Sequence, residues 1–396
     1  MSEAVDRRGG GPLRPRATLA TASAAHVVHD GFSNLILLFL PVWAAELHLS
    51  LTQVGLLRAA YMGTLGFLQL PAGLLAEKYG PRTMLGVGTA LVGVGYLALG
   101  FAGGFIALFL CLALAGFGSS AQHPLASTLV SRSHDGSSRR AALGFYNFAG
   151  DIGKVALPGL VGLALLAITW RQAAFACGLL GLAAALAIFV AMGRLGNNQG
   201  SGKDESRAGD PPKGWGIKDK KGFRALSAIA IIDNATRGCF LTFIPFLLTA
   251  KGASVQEIGL ALSLIFGGGA FGKFILGLVA ARIGVARSLV VTEVATAIGI
   301  GVILALPLVP ALVVLPLVGV ALNGTSTVLY GSVADLVEPE RHSRAFGLFY
   351  TFVTGSGAVA PAIYGVVSDF TSVPVTLGIA AVLVLTTLPL TRLLKL

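Results

Sequence analysis

Residues 73–82 read GLLAEKYGPR and residues 277–287 read GLVAARIGVAR, two stretches with the same glycine spacing in the two halves of the chain. A basic residue follows the second glycine in each stretch, Arg82 in one and Arg287 in the other. A further set of positions repeats at one constant offset: Gly144, Pro158 and Gly162, and then Gly347, Pro361 and Gly365. The chain is therefore expected to consist of two repeats in the same orientation.

The composition indicates a membrane protein. Of the 396 residues, 55% are hydrophobic and only 12% are charged, and the mean hydropathy is +0.80. Soluble proteins are about 25% charged, so half that share cannot cover a water-exposed surface. This excludes a cytosolic enzyme, a secreted disulfide-stabilised protein and a disordered chain. It also makes a nucleic-acid partner unlikely to explain the net charge of +11.

A spanning helix needs about 20 mostly apolar residues, and the chain contains twelve such stretches, here named spans one to twelve. They are 17–45, 53–76, 83–101, 105–131, 141–166, 172–193, 223–249, 255–280, 287–306, 310–336, 345–368 and 372–393. A polar segment, 194–222, has the composition of a flexible linker. We therefore predict an N-terminal tail (1–16), a six-helix bundle (17–193), the linker (194–222) and a second six-helix bundle (223–396).

Charge placement predicts the orientation. With both termini in the cytoplasm, 23 of the 29 Lys and Arg residues fall in cytoplasmic segments, and only Arg171 and Lys251 fall in external loops. This is the bias expected of inserted membrane proteins. Two parallel six-helix repeats place a binding site between the halves near the bilayer midplane.

The stretch 73–82 resembles the signature that follows the second helix in the major facilitator superfamily, with Glu77 where Asp is usual. Three features resemble the superfamily's fosmidomycin-resistance efflux group or its antiporters. They are His26 and Asp30 in span one, the run 116–124 (GFGSSAQHP) in span four, and a glycine–proline pattern in span five. The span-five residues are Gly144, Gly153, Pro158 and Gly162, while Leu157 and Val161 replace glycines expected in the antiporter motif.

The resemblance implies an all-α integral membrane fold, with twelve helices in two six-helix pseudo-repeats and both termini cytoplasmic. It also implies a multi-pass protein of the bacterial cytoplasmic (inner) membrane. The paired glycine loops are candidate gating elements, which would link spans two and three to span eleven. The alternative is a helix stop with a basic topogenic loop. The candidate gating residues are Gly73, Glu77, Gly80, Arg82, Gly277, Arg282 and Gly284. For the span-five pattern, helix packing and a role in antiport remain open.

Charged residues inside spans are costly, at about 2.5–3.5 kcal/mol for a central Asp, Lys or Arg, and are rarely kept without a function. In the superfamily, spans one, four, seven and ten line the cavity, and most of these charges lie in that set or in the spans beside it. The exception is Glu293 in span nine, which we expect near the cytoplasmic surface. Helical spacing places His26 and Asp30 on one face of their helix, and likewise Asp233 and Arg237.

Two interpretations of these charges are possible. They form neutral intrahelical pairs that allow insertion, or they form a pocket in which Lys154, Arg237 and Lys273 bind an anion. Arginine favours the second, because its planar fork binds carboxylate or phosphonate in a bidentate manner. The candidate substrate-binding residues are Asn34, His123, Tyr146, Asn147, Asp151, Lys154, Asp233, Arg237 and Lys273.

Proton coupling needs a group that exchanges protons in the cavity. Asp30 is the first candidate, because its own helix carries no obvious cation, and His26 or His29 could share the role. For each histidine a purely structural hydrogen bond is the alternative.

These features predict a secondary transporter working by alternating access, with proton-coupled efflux of a small organic anion, zwitterion or drug-like compound. A proton- or sodium-coupled uptake symporter is the alternative. A membrane-embedded enzyme is remote, since the sequence has no Walker motif, no HExxH and no GxSxG, and its histidines are dispersed. We expect no cofactor and no metal, a small-molecule substrate, membrane lipids as surroundings and a monomer.

Overall fold

The computed structural model describes residues 14–194, 216–338 and 342–394, and nearly all of these residues lie in helices. The predicted tail, 1–16, and the predicted linker, 194–222, fall largely outside the described residues. The domain boundaries drawn through them therefore remain predictions.

The helices follow the predicted order. Spans one to six are Pro15–Glu46, Leu51–Phe67 with Gln69–Tyr79, Pro81–Leu99, Phe105–Ser119 with Gln122–Arg132, Gly136–Ala164 and Trp170–Arg194. Spans seven to twelve are Lys220–Ala250, Val255–Ile283, Val285–Ala305, Leu308–Ser332, His342–Phe370 and Val373–Leu385 with Leu388–Thr391. Eleven of them are long and apolar enough to cross a membrane by composition alone. The remaining one, Gly136–Ala164, has the predicted length but carries Asp151 and Lys154. The prediction of an all-α fold with twelve spans is confirmed.

Spans two, four and twelve are interrupted, although the sequence predicts each of them as one continuous helix. Each interruption precedes a proline by a few residues, and the prolines are Pro71, Pro124 and Pro389. Proline has no N–H to donate to the carbonyl four residues earlier, and its ring clashes with that carbonyl. The helix therefore stops at or just before that position, and a second segment continues the span.

The spans pack as two bundles that meet along two pairs of helices. In the first bundle span one packs on span five and span three on span six, and in the second span eight packs on span ten and span seven on span eleven. Between the bundles, span two packs on span eleven and span five on span eight. These crossing pairs position the residues of the candidate site.

The two bundles are in close contact at the end remote from the termini. A Cβ built at Gly55 would lie 2.1 Å from the Pro361 carbonyl oxygen, and one built at Gly365 would lie 2.4 Å from that of Leu51. Only glycine allows such an approach of two backbones. The Asp369 carboxylate at the end of span eleven also accepts hydrogen bonds from the first backbone amides of span two, Leu51 and Thr52, both at 2.8 Å.

The end that carries the termini is packed less closely. A Cβ built at Gly73, Gly144 or Gly347 would meet no atom within 4 Å. Leu70 and Phe145 are 74% and 56% exposed on the same side of the bundle. The closest described contacts between the halves therefore lie away from the termini.

Candidate functional site

Asp30 is the centre of a buried cluster built from three spans. Its carboxylate lies 2.9 Å from His29 Nδ1 and 3.3 Å from His26 Nε2 on its own helix. It also lies 3.6 Å from His123 Nε2 of span four and 3.0 Å from Lys154 Nζ of span five. The three predicted proton-coupling residues are therefore brought together. The cation that span one lacks is supplied by span five.

A hydrogen bond to the backbone of span five fixes the orientation of the His26 ring beside Asp30. His26 Nδ1 lies 2.8 Å from the carbonyl oxygen of Tyr146, and because a carbonyl only accepts, Nδ1 must be the donor. The other ring nitrogen, Nε2, then faces an oxygen of Asp30. In a neutral imidazole that nitrogen is an acceptor, and two acceptors at this distance repel each other. His26 Nε2 lies 3.3 Å from Asp30 Oδ2 and makes no hydrogen bond to a described residue.

Tyr146 supports this cluster and does not line an open cavity. Its side chain is 2% exposed, and its ring stacks on that of His26 with centroids 4.1 Å apart. Asn34 is also buried, and its amide donates to the Asp30 carbonyl oxygen of its own helix at 2.8 Å. Asn147, by contrast, is exposed on span five. Of these three predicted substrate-binding residues, two are directed into protein.

Lys154 joins the Asp30 cluster to a second carboxylate. Its ammonium lies 3.0 Å from Asp30 and 3.0 Å from Asp151 on its own helix. Asp151 in turn accepts from Lys273 of span eight, at 2.7 and 2.9 Å for its two oxygens. Asp151 and Lys154 are therefore not a self-contained intrahelical pair. They form a continuous chain of ion pairs from span one to the second bundle.

The basic members of this chain are the more accessible ones. The side chains of Lys154, Lys273 and His123 are 24%, 34% and 42% exposed, whereas those of Asp30 and Asp151 are 6% and 8% exposed. The carboxylates lie behind the cations. A solute between the bundles would therefore meet positive charge and an imidazole.

Two glycines of span five make this assembly possible. A Cβ at Gly153 would lie 2.0 Å from the Val27 carbonyl oxygen, and one at Gly150 would lie 2.8 Å from Asp30 Oδ2. Spans one and five can therefore approach until Lys154 reaches Asp30. Gly150 was not singled out in the sequence, although its position one helical turn before Lys154 is a signal that could have indicated it.

The other span-five motif residues have different environments. Gly162 faces span eight, where a Cβ would lie 3.2 Å from Gly259, and Pro158 contacts the same glycine through its carbonyl oxygen. Gly144 has no such neighbour. The motif thus packs span five on two helices, one in each bundle.

Three of the six histidines, His26, His29 and His123, lie together, contrary to the expectation that the histidines are dispersed. Ligand-type atoms of His26, Asp30 and His123 all lie within 4.8 Å of one another. They are separated in sequence and meet because spans one and four are adjacent. The Lys154 ammonium already pairs with Asp30, which favours a proton over a metal ion at this position.

Asp233 and Arg237 lie in a second cluster, in the other bundle. Arg237 Nη2 is 3.6 Å from Asp233 and donates to the Asn234 side-chain oxygen at 2.7 Å. The Asn234 amide donates to the Val353 carbonyl oxygen of span eleven at 2.5 Å. Arg237 is thereby held against its own helix.

The sequence predicts Glu293 near the cytoplasmic surface, and this depth in the membrane remains a prediction. The residue lies about two turns into Val285–Ala305 and is fully buried. Span nine therefore presents the Glu293 side chain to the protein interior.

The glycine loops have the same backbone form in both halves. Gly80 and Gly284 adopt φ angles of 81° and 85°, a region that favours glycine, and each ends one span where the next begins. Arg82 lies against Gly193 of span six, where a Cβ would be 2.7 Å from its Nη2. Arg282 and Gly277 lie at the end of span eight, and the Glu77 side chain is outside the described part. The gating role remains a prediction.

A polar network on spans one, two and four was not selected from the sequence. Buried Arg58 donates to the Ser33 carbonyl oxygen at 2.7 Å. Tyr61 joins the Ser33 and Ser119 hydroxyls at 2.8 and 2.7 Å. The residues of this network belong to common polar types. The only sequence signal for them is that each is a polar residue within an otherwise apolar span.

Comparisons with known proteins give the family. The sequence matches the Major Facilitator Superfamily over residues 22–232 and again over residues 226–395. It is 26% identical to the fosmidomycin resistance protein of Escherichia coli (strain K12), over 92% of this chain and 89% of that protein. It is 28% identical to the multidrug efflux protein YfmO of Bacillus subtilis (strain 168), over 94% and 92%.

The fold has a similar solved counterpart. The structure of a bacterial homolog to the human lysosomal transporter Spinster, in an inward-facing and occupied conformation, superposes with a TM-score of 0.79 at 16% identity, covering 98% of each chain. The family and these relatives are transporters and not enzymes. With twelve helical spans, eleven of them apolar enough to cross a membrane by composition alone, the protein is a multi-pass protein of the inner membrane. The chain belongs to the Major Facilitator Superfamily as a secondary transporter near the fosmidomycin-resistance group.

Proposed function

We propose that the protein is a proton-coupled antiporter that exports a small organic compound carrying an anionic group. The observation that supports this is the chain of ion pairs from the histidine-flanked Asp30 through Lys154 and Asp151 to Lys273. It links a group that can hold a proton with cations that can hold an anion, and it crosses between the two bundles.

Proton exchange is assigned to the Asp30–His26 pair, with His29 and His123 beside it. The hydrogen bond of His26 to the Tyr146 carbonyl fixes the ring so that one nitrogen always faces Asp30. A proton can therefore be gained or lost at a site of constant geometry. Its charge is transmitted to Lys154, which lies 3.0 Å from the same carboxylate.

Substrate binding is assigned to Lys154 and Lys273. In the unloaded arrangement the two ammonium groups are neutralised by Asp30 and Asp151, at 2.7–3.0 Å. A carboxylate or phosphonate that enters between the bundles would take the place of Asp151 on Lys273. Arg237 is a further candidate contact in the second bundle, provided that it leaves Asn234.

Charge balance indicates which compounds would be exchanged for protons. A substrate with both an anionic group and a cationic or donor group would bind the lysines and a carboxylate together, and would compete with a proton for that carboxylate. Competition of this kind produces antiport. A pure anion would leave Asp30 and Asp151 uncompensated and would favour protons binding with it. For such a compound proton symport is the second candidate function.

The packing suggests the direction in which this state is open. If the termini are cytoplasmic, as the Lys and Arg distribution predicts, the close contacts of Gly55 and Gly365 seal the external side. The binding residues then face the cytoplasm, as in the inward-facing transporter with a similar fold. This is the state in which an exporter would collect its cargo.

Transport into liposomes tests the proposal. Purified protein is reconstituted with a pH-sensitive dye inside, and fosmidomycin, a simple phosphonate and a zwitterionic analogue are added in turn. Antiport predicts that substrate uptake releases protons from the lumen, and that an imposed pH gradient drives substrate towards the acidic side. Proton movement in the same direction as substrate would establish symport instead.

No proton movement with any transported compound would contradict both mechanisms. The matched control is Asp135→Asn, which changes an exposed aspartate at the start of span five and should behave as the unmodified protein.

A further inference from the structure

Glu293 carries two buried oxygen atoms for which the described residues provide no hydrogen-bond partner. The side chain is 0% exposed, and neither Oε1 nor Oε2 makes a hydrogen bond. An ionised carboxylate without partners is among the most costly groups to bury, and such a group is normally neutralised. The mechanism built on Asp30 and the lysines does not use this residue.

Span seven carries the charged groups that interact with Glu293. Glu293 interacts electrostatically with Asp233 and Arg237, and Tyr330 of span ten interacts with the same two residues. Asp233 is 2% exposed, and its Oδ2 has no hydrogen-bond partner although Arg237 lies 3.6 Å away. The single arginine balances one of the two carboxylates. With both carboxylates ionised, Asp233, Glu293 and Arg237 together carry one uncompensated negative charge.

Among the described residues, the other spans that pack on span nine do not supply a second cation at this point. Lys273 of span eight is directed at Asp151 of the first bundle, and Arg392 lies at the exposed end of span twelve. Hydroxyl groups are present instead. Thr236 lies one turn beyond Asp233 and Thr296 one turn beyond Glu293, both 0% exposed and with unpartnered oxygens.

We propose that Glu293 and Asp233 form a second proton-binding site, in the C-terminal bundle and separate from Asp30. The ligand is a proton, which converts Glu293 to a neutral carboxylic acid and removes the excess negative charge beside Asp233. A metal cation is disfavoured, because Arg237 already places a positive charge beside Asp233. The site rests on the proposed proton coupling, since a second proton site affects transport only in a proton-driven carrier.

Infrared spectroscopy of the whole protein in liposomes tests this directly and needs no substrate. The protein is produced with ¹³C-labelled glutamate, which separates glutamic acid carbonyl bands from those of Asp30, Asp151 and Asp233. Of the eight glutamates in the chain, Glu293 is the one described as fully buried. We expect a glutamic acid band at neutral pH that disappears as the pH is raised from about 5 to about 10.

Two variants assign the band. Glu293→Gln should abolish it, and Asp233→Asn should move the pH at which it disappears by about one unit or more. Thermal unfolding identifies a variant that fails to fold, and the isotope shift in the unmodified protein assigns the band to glutamate without any substitution.

The outcomes are separable from those of the first proposal. Absence of the glutamic acid band overturns the second site, and a band that persists across the pH series overturns its role in proton loading. A midpoint unchanged in Asp233→Asn overturns the pairing. Proton coupling itself is tested with the liposome dye and the Asp30→Asn variant. The liposome experiment can therefore refute proton coupling while the infrared band is still observed, and the infrared band can be absent while proton coupling is observed.

Discussion

Lys273 of the second bundle holds both carboxylate oxygens of Asp151 in the first, at 2.7 and 2.9 Å. This ion pair joins the two halves in the middle of the protein. Alternating access requires the halves to move relative to each other. The free energy of this ion pair therefore affects both the affinity for substrate and the equilibrium between the two conformations of the transporter.

Replacing Lys273 should weaken substrate binding. In Lys273→Met the anionic group loses one of its two ammonium partners, and Asp151 keeps only Lys154. We expect the affinity for an anionic substrate to fall about tenfold or more, equivalent to about 1.4 kcal/mol. Binding is measured by calorimetry on purified protein. Lys218→Met, an exposed lysine before span seven, is the control, and equal affinity in both variants would remove Lys273 from the site.

Asp30→Asn should uncouple transport from the proton gradient. The amide cannot exchange a proton, although it retains the size of the carboxyl group. We expect gradient-driven accumulation to be lost, while exchange of labelled for unlabelled substrate across the membrane continues. Both are measured in liposomes. Accumulation at the rate of the unmodified protein would show that Asp30 does not carry the proton.

Gly153→Ala and Gly144→Ala form a matched pair on span five. A Cβ at Gly153 would lie 2.0 Å from the Val27 carbonyl oxygen, whereas one at Gly144 meets nothing within 4 Å. Overpacking costs about 1–3 kcal/mol, so that Gly153→Ala should lower the unfolding temperature. Gly144→Ala should leave it unchanged or raise it, because alanine favours helix by up to about 1 kcal/mol. The reverse order in thermal unfolding would contradict the packing of spans one and five.

Asp369→Ala should shift the protein towards the state that is open at the end remote from the termini. Asp369 accepts from the Leu51 and Thr52 amides of the other bundle, and loss of such a cap costs about 0.5–2 kcal/mol. Distances between spin labels on spans two and eleven report the populations. Ser254→Ala removes a cap at the same end but within one bundle, and it should lower stability without changing those distances.

Much of this site can be read from the sequence, and the remainder depends on how helices are rotated against each other. The four-residue spacing of His26 and Asp30 placed them on one face, and the repeated glycines placed the binding region between the halves. The partner of Asp30 could not be inferred, because Lys154 reaches it only through the close approach at Gly150 and Gly153. Tertiary packing decides that distance.

The surroundings of the Glu293 side chain also could not be predicted from the sequence. Its spacing from Arg287 indicates depth in the membrane and not the direction of the side chain, so its burial inside the protein could not be predicted. The breaks in spans two, four and twelve were also not predicted. A proline within an apolar stretch is compatible with a kinked continuous helix, as Pro158 and Pro361 show in spans five and eleven.

The interruption of span four has a consequence for how the carrier moves. His123 stands on the short segment Gln122–Arg132, and its ring lies 4.7 Å from that of His29 and 5.1 Å from that of His26. That segment meets Phe105–Ser119 at a break in the helix, so no continuous helical backbone fixes its angle to the rest of span four. We expect the wall that carries His123 to bend at this joint and so to adjust locally to solutes of different size.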